Sequence, residues 1–551
     1  MVDALKSLLY AEASRPWTFL ELGFWIFFAV VLMGFAGLER RLALRNAYLM
    51  LASWFFYYHT SQWYVVLLIF TTAVDFGVGH ALHRTQRSIL RKLLLAVSIV
   101  SNLGVLFFFK YAYFAAEVWN DLTGMAWSPT PFWAGWANGQ LGTNFVEDVI
   151  LLPVGISFYT FQCLSYTIDI YRRNLEPVRR FTDFAFYVSF FPQLVAGPIV
   201  RASEFVPQLY QPYSVTRSQF GLGMFWVLNG FLKKVILADF LAVHLADRIF
   251  SQPTLYTGWE NALGLLAYTM QVYADFSGYT DIAIGIALWM GFTLTKNFNS
   301  PYKAQSVAEF WKRWHMSLSS WLKDYLYIPL GGNRSGSVAS YVLIFAGLFG
   351  LAWWAPTSVV SYSLAATVLV FLLLYQFLPA FRRGFNTNVN LLLTMLLGGL
   401  WHGASWNFVV WGGLNGLGLV AYKQWSRIRP YSVSNWPLKA LGVLVTLLFI
   451  TFTRIWFRAQ DWDTAMAMLD QLTTGWSVPP SLAMLVAWWR PALVLALGFG
   501  IHWIPEHLKE RYRTAFSSLH PAWMLAAAVL GVLVGYQFMA AESQPFIYFQ
   551  F

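Results

Sequence analysis

Apolar runs of about 20 residues recur along this chain from Phe19 to Met539, and each is long enough to cross a lipid bilayer as a helix. Charged residues make up 11% of the 551 residues and hydrophobic residues 58%, whereas soluble proteins average about 25% charged residues. The short alternating segments typical of a membrane β-barrel do not stand out. The sequence therefore predicts an all-α polytopic membrane protein.

The basic residues indicate which ends of these runs face the cytoplasm. The net charge is +11. The basic residues occur in short clusters between apolar runs, such as Arg172-Arg173 and Arg382-Arg383, as they do in cytoplasmic loops. We therefore expect a lipid bilayer as partner, no nucleic acid, and about eleven to fourteen crossings. No cleavage pattern of a signal peptide precedes the first run, so Phe19 to Gly37 is interpreted as a retained span.

One of these runs is interrupted by residues that break helices. Pro192, Gly197 and Pro198 lie within Phe184 to Val200, which makes a clean span a poor interpretation. Irregular backbone at membrane depth is tolerated where protein surrounds it or where it lines a cavity. We therefore predict a broken or re-entrant helix here.

The stretch from Trp311 to Arg334 is basic, polar and aromatic, and His315 lies at its centre. On a helix, Trp311, Trp314, His315 and Leu318 share one face, which predicts an amphipathic helix at the inner membrane surface. A histidine on such a face is more often structural than catalytic. A catalytic role is favoured if another histidine from a different segment converges on His315. Two such imidazoles would resemble an acid/base pair that works near neutral pH.

The second histidine, His402, lies in an apolar segment between two basic clusters, Arg382-Arg383 and Lys423 to Arg429. Because both clusters are predicted to be cytoplasmic, the segment must turn back, and we predict a hairpin with His402 at a glycine-broken apex. An ionisable residue inside a membrane is costly and is first interpreted as functional. The alternative is a core histidine that donates to a backbone carbonyl. Gly399, Gly403 and Ala404 are interpreted as leaving room for a substrate chain.

Two carboxylates, Asp275 and Asp281, lie within another predicted span. They are interpreted either as helix-breaking polar packing or as groups that orient a catalytic imidazole or form a polar path. The sequence has no phosphate-binding glycine loop, no nucleophile elbow and no H-E-x-x-H motif. The common hydrolase and nucleotidase chemistries therefore have no support, and no metal site is predicted.

Six motifs together resemble the membrane-bound O-acyltransferase family, in its alginate O-acetyltransferase-like bacterial branch. They are LPVGISFYTFQCLSYTIDIYR from Leu152, FFPQLVAGPIVR from Phe190, ADFSGYTDIAIG from Ala274, FWKRWHMSLSSWLKDYLYIPLGGNR from Phe310, LLLTMLLGGLWHGASWNFVVWG from Leu391 and QPFIYFQF from Gln544. The resemblance runs in order over most of the chain, which is predicted to be a single membrane domain over residues 1–551 with core motifs at about 150–425. One departure is an apolar insertion at about 335–388, which relatives lack.

The resemblance implies a ring of tilted helices around a central funnel, with re-entrant segments. It implies that His402 is the catalytic base and that His315 is the second active-site residue. Further candidates for binding substrate or donor come from the same motifs. They are Lys312, Arg313, Trp314, Ser319, Lys323, Asp324, Arg334, Asp275, Trp401 and Asn407.

The implied activity is transfer of an acetyl group across the bacterial inner membrane for O-acetylation of an exported exopolysaccharide, alginate-like or cellulose-like. Acetyl-CoA or another acyl thioester would be the donor, with no tightly bound cofactor. The expected partners are a periplasmic SGNH-type acetyltransferase and a polysaccharide synthesis and export complex. The alternatives are a transporter of an acyl carrier or polysaccharide, D-alanyl transfer to a teichoic-acid-type acceptor, and a structural docking subunit.

Overall fold

The computed structural model describes residues 17–143, 145–195, 197–342, 344–346, 370–428, 435–477, 479–539 and 546–547. Every regular element within these ranges is a helix. Five described helical stretches are long and apolar enough to cross a membrane. They are Leu42–Arg84, Ser88–Thr123, Trp436–Arg458, Leu482–Trp503 and Pro521–Phe538. The prediction of an all-α polytopic membrane protein is confirmed, while the number of crossings stays a prediction.

The chain divides into two compact units, and the first comprises Met1–Asn299 and Met466–Phe551. The α-helices of its N-terminal part are Leu22–Leu38, Leu42–Ser61, Val65–Arg84, Ser88–Leu106, Ala112–Thr123, Ala134–Leu141, Ile156–Tyr171, Phe181–Ser189, Phe191–Leu194, Ala202–Phe205, Arg217–Leu232, Asp247–Ser251 and Gly258–Trp289. Its C-terminal part adds Leu482–Trp503, Glu506–Ser517 and Pro521–Phe538. The predicted first span corresponds to Leu22–Leu38, an apolar helix of 17 residues.

The predicted broken helix is confirmed in this unit. Helix Phe181–Ser189 ends before Phe190, and a single turn follows at Phe191–Leu194. The described residues between this turn and the next helix, at Ala202, are irregular. The described side chains of this segment, Phe190 and Gln193 among them, are almost entirely buried. The irregular backbone is therefore surrounded by protein, which is where such backbone is tolerated.

The two carboxylates of the ADFSGYTDIAIG motif lie on one unbroken helix, Gly258–Trp289, which is 32 residues long. The interpretation of this motif as helix-breaking is therefore wrong. Asp281 forms an ion pair with Lys233, at 2.7 Å between Nζ and Oδ2, and accepts a hydrogen bond from Asn229 at 2.7 Å. Polar packing between helices accounts for this residue.

Asp275 belongs to the same kind of buried network. Its Oδ1 lies 2.8 Å from Nζ of Lys234, and its Oδ2 accepts a hydrogen bond of 2.7 Å from the backbone N–H of Ile547. Lys234 also pairs with Asp239 at 2.7 Å. Each of these buried charges therefore lies within 2.8 Å of an opposite charge, which is the condition for keeping charges away from water.

The second unit, Ser300–Ala465, contains both histidines of interest. Its α-helices include Val307–Arg313, Met316–Leu322, Pro379–His402, Trp406–Ile428 and Trp436–Arg458, and helix Trp462–Thr474 begins at its end. Residues 338–342, 344–346 and 370–377 are helical as well. Residues 343 and 347–369 of the predicted apolar insertion lie outside the described residues. The insertion at about 335–388 and the single-domain assignment therefore stay predictions.

Candidate active site

His402 is the last residue of helix Pro379–His402, which is 24 residues long. The chain leaves helical geometry at Gly403 and returns as helix Trp406–Ile428, of 23 residues. The two helices pack against each other, so the predicted hairpin with His402 at its apex is confirmed. The side chain of His402 is only 3% exposed.

The glycines around His402 serve the packing of this hairpin. A Cβ added at Gly399 would lie 2.3 Å from the carbonyl oxygen of Phe408, and one at Gly403 would lie 2.0 Å from its ring. Real Cβ contacts are never this short, so these positions need glycine for close approach. The interpretation that Gly399 and Gly403 leave room for a substrate chain is wrong, because the returning helix fills that space.

The same packing predicts a large difference between two neighbouring glycines. At Gly412 a Cβ would lie 2.4 Å from the carbonyl oxygen of Met395, whereas at Gly413 the nearest atom is a Leu396 methyl at 3.5 Å. Gly412→Ala is expected to destabilise the protein by about 1–3 kcal/mol through overpacking, and Gly413→Ala should leave its stability nearly unchanged. Thermal unfolding of both variants in detergent checks this. Equal midpoints for the two variants would contradict the described helix contact.

His315 lies at a break between two short helices. Helix Val307–Arg313 ends at an extended Trp314, His315 has φ 44° and ψ 55°, and helix Met316–Leu322 follows. The predicted continuous amphipathic helix is therefore wrong. Left-handed backbone is uncommon for a residue other than glycine, and such strain often occurs at functional sites. The break leaves the His315 side chain 0% exposed.

The two imidazole rings lie close together, with their centroids 6.4 Å apart. His402 therefore converges on His315, which is the condition stated above for an acid/base pair. Burial lowers the pKa of His315, a residue outside the five candidate spans, so its neutral form is favoured at pH 7.

Aromatic side chains enclose the pair. The ring of Trp401 lies 6.0 Å from that of His315 and 4.9 Å from that of His402. Trp411 and Phe457 lie 5.0 and 5.3 Å from His402. An apolar enclosure of this kind keeps water away and strengthens the electrostatic effects of the groups inside it.

The other predicted residues of the Trp311–Arg334 stretch differ in burial. Lys312, Lys323 and Arg334 are exposed. Arg313 is partly buried and pairs with Glu309 at 2.8 Å. These charges belong to the surface of the unit rather than to its buried core.

Several other predicted site residues form hydrogen bonds or packing contacts within the protein. The hydroxyl of Ser319 donates to the backbone oxygen of Trp314 at 3.2 Å, and Asn407 donates to that of Ala459 at 3.2 Å. Trp314 is buried and Asp324 is partly buried. Asp275 belongs to the first unit and has the partners described above. A substrate-binding role for these residues stays a prediction.

Sequence reasoning missed two residues of this unit. Asn390 donates to the backbone oxygens of Gly332 and Ser335 at 3.0 and 2.9 Å, which ties the GGNR turn to the helix that carries His402. Arg454 is 1% exposed, and its guanidinium carbon lies 4.6 Å from the centre of the Trp314 ring. The charge of Arg454 within the otherwise apolar run TLLFITFTRIW was the available signal for this residue.

Two buried imidazoles in a helical membrane protein are groups that could serve as acid and base in a membrane-embedded transferase. Residues 171–354 match the family model described as MBOAT, membrane-bound O-acyltransferase family. The chain is 37% identical over 439 residues to the probable alginate O-acetylase AlgI of Pseudomonas aeruginosa, covering 78% of this chain and 69% of that protein. It therefore belongs to the membrane-bound O-acyltransferase family.

Two further relatives differ in the acyl group that their names give. The peptidoglycan O-acetyltransferase of Helicobacter pylori is 33% identical over 448 residues, with 77% of this chain and 72% of that protein covered. The teichoic acid D-alanyltransferase of Streptococcus thermophilus is 26% identical over 334 residues, with 55% and 70% covered. The prediction of an O-acyltransferase of acetyltransferase type is confirmed.

Proposed function

We propose that this chain takes an acetyl group from a cytoplasmic acyl thioester such as acetyl-CoA and passes it across the bacterial inner membrane for O-acetylation of an exported polysaccharide. The observation that carries the proposal is the buried His315–His402 pair, at 6.4 Å between ring centroids. Both residues occupy the motifs that resemble the active site of the family. The names of the relatives, an alginate O-acetylase and a peptidoglycan O-acetyltransferase, support a polysaccharide as the final acceptor.

The proposed chemistry divides two tasks between the two rings. His402 accepts the proton of the acceptor hydroxyl as its oxygen attacks the thioester carbonyl. His315, neutral and buried, donates an N–H hydrogen bond to the oxyanion that forms on that carbonyl. The carbon–sulfur bond then breaks, and the leaving thiolate takes the proton from His402. The aromatic enclosure limits the loss of the acetyl group to water.

The charge of the second unit suits the proposed donor. Lys312, Lys323 and Arg334 are exposed cations in the stretch that contains His315. Positive potential at the mouth of a site raises the local concentration of a phosphorylated carrier such as coenzyme A. On the other face, the acetyl group would pass to a periplasmic SGNH-type acetyltransferase or directly to the polymer emerging from its synthesis and export complex.

Proteoliposomes test this function against the transporter and D-alanyl alternatives. The purified chain is reconstituted with an acceptor oligosaccharide and the periplasmic acetyltransferase in the lumen, and acetyl-CoA carrying a labelled acetyl group is added outside. We expect labelled ester inside and one equivalent of free coenzyme A outside. Intact acetyl-CoA inside, without ester, would instead show transport. Faster transfer from a D-alanyl thioester than from acetyl-CoA would overturn the assignment of the acyl group.

A further inference from the structure

Arg454 is a buried charge whose neighbours are aromatic rings. It lies on helix Trp436–Arg458, and its side chain is 1% exposed. The guanidinium carbon lies 4.6 Å from the centre of the Trp314 ring and 5.0 Å from that of Phe457. Aromatic faces attract a guanidinium ion, but they do not accept its hydrogen bonds as a carboxylate does.

Two of the guanidinium nitrogens, Nε and Nη1, are buried and have no hydrogen-bond acceptor among the residues that the structure describes. Nor does any carboxylate in the described part of the chain form an ion pair with Arg454. Arginine stays protonated at every pH at which proteins function. A buried cation without a counter-charge is strongly unfavourable, and within a candidate membrane span its first interpretation is functional.

The guanidinium is also close to the histidine pair. Phe457 contacts both groups, since its ring lies 5.0 Å from the Arg454 guanidinium carbon and 5.3 Å from the His402 ring. These distances place Arg454 no more than about 10 Å from His402. On its other side Arg454 covers Trp314, the residue immediately before His315.

We propose that Arg454 binds an oxyanion group of a substrate, a carboxylate or a phosphate, beside the His315–His402 pair. Arginine suits this task because its planar group of N–H donors matches the geometry of carboxylates and phosphates. The ligand would supply both the missing negative charge and the missing acceptors. This inference deepens the proposed function, because it names the chemistry of the group that the site recognises.

Two substrates could carry that group. The thioester donor carries phosphates at the far end of its pantetheine arm, and an acidic acceptor carries the carboxylate of a hexuronate next to its hydroxyls. The shared chemistry is an oxyanion, and two matched ligand pairs separate the sources. Coenzyme A is compared with pantetheine, which lacks the phosphates, and a hexuronate oligomer is compared with a neutral hexose oligomer.

The experiment measures the affinity of these four probes for the detergent-solubilised full chain, for Arg454→Met and for the control Arg427→Met, whose guanidinium is exposed. We expect wild type and the control to prefer the anionic member of one pair by about tenfold or more, as charged hydrogen bonds do. Arg454→Met should lose that preference, while Arg454→Lys keeps part of it. Loss within the coenzyme A pair identifies the donor as the source, and loss within the sugar pair identifies the acceptor.

Thermal unfolding is a second measurement, which shows whether the variants are folded. Without ligand, Arg454→Met should unfold several degrees above wild type, because it removes an unpaired buried charge and fills similar volume. An anion preference as large in Arg454→Met as in wild type, or a wild type with no preference in either pair, would overturn the proposal. Because binding is measured without transfer, a wild type that binds the anion through Arg454 but transfers no acetyl group contradicts the proposed function alone.

Discussion

His402→Ala is expected to lower the rate of acetyl transfer by about 10²- to 10⁴-fold, the usual contribution of a general base. The reason is that the acceptor hydroxyl then has no group to take its proton inside an apolar enclosure. Export of the polysaccharide should continue at the wild-type level, since export does not use this proton transfer. The measurements are the initial rate of transfer in proteoliposomes and the ester content of polymer made by cells.

The control for this substitution is His83→Ala, which removes an exposed imidazole from the first unit and should leave both readouts unchanged. Thermal unfolding of His402→Ala should show that the hairpin is still folded. A His402→Ala protein that transfers acetyl groups at more than half the wild-type rate would contradict its role as the base. Loss of export together with loss of ester would favour a transporter.

His315→Asn is expected to lower the transfer rate by about 10²- to 10³-fold with little change in thermal stability, as when an oxyanion hydrogen bond is removed. Asparagine tolerates the left-handed backbone that His315 adopts, at φ 44°, so the break between the two short helices should persist. His315→Val is the comparison, because a β-branched side chain fits this backbone poorly. The valine variant should lose both stability and activity.

These two variants separate the role of the ring from that of the turn. If His315→Asn remains as active as wild type, the imidazole contributes only to the packing of the turn. If asparagine and valine lower stability equally, the left-handed conformation does not constrain this position. The expected pattern, activity lost in both but stability lost only with valine, assigns a chemical role to the ring.

The hairpin around His402 could be predicted because its signals are local in the sequence. Basic clusters flank an apolar segment of fixed length, and the histidine lies at its middle, so the turn follows from the charge of the loops. The broken segment at Pro192, Gly197 and Pro198 was predictable for a similar reason, since these residues restrict the backbone directly. Each prediction needed only residues within one short stretch.

The parts that could not be predicted depend on contacts between distant segments. Helical periodicity assigns a face to His315 but contains no information about a residue that leaves the helix, so the break was missed. The space beside Gly399 and Gly403 is filled by Phe408 of the returning helix, which composition does not show. Arg454 looks in the sequence like a basic residue near the end of a span, where such side chains usually reach the membrane surface.

We propose that His315 and His402, from separate helices, act as one acyl-transfer site. A double-mutant cycle tests it most directly, with transfer rates measured for His315→Asn, His402→Ala and the combined variant. Residues that act as a unit give strongly non-additive losses. We predict that the combined variant is no slower than His402→Ala alone, within about threefold. Losses that multiply, so that the combined variant falls by the product of the two single effects, would contradict the claim.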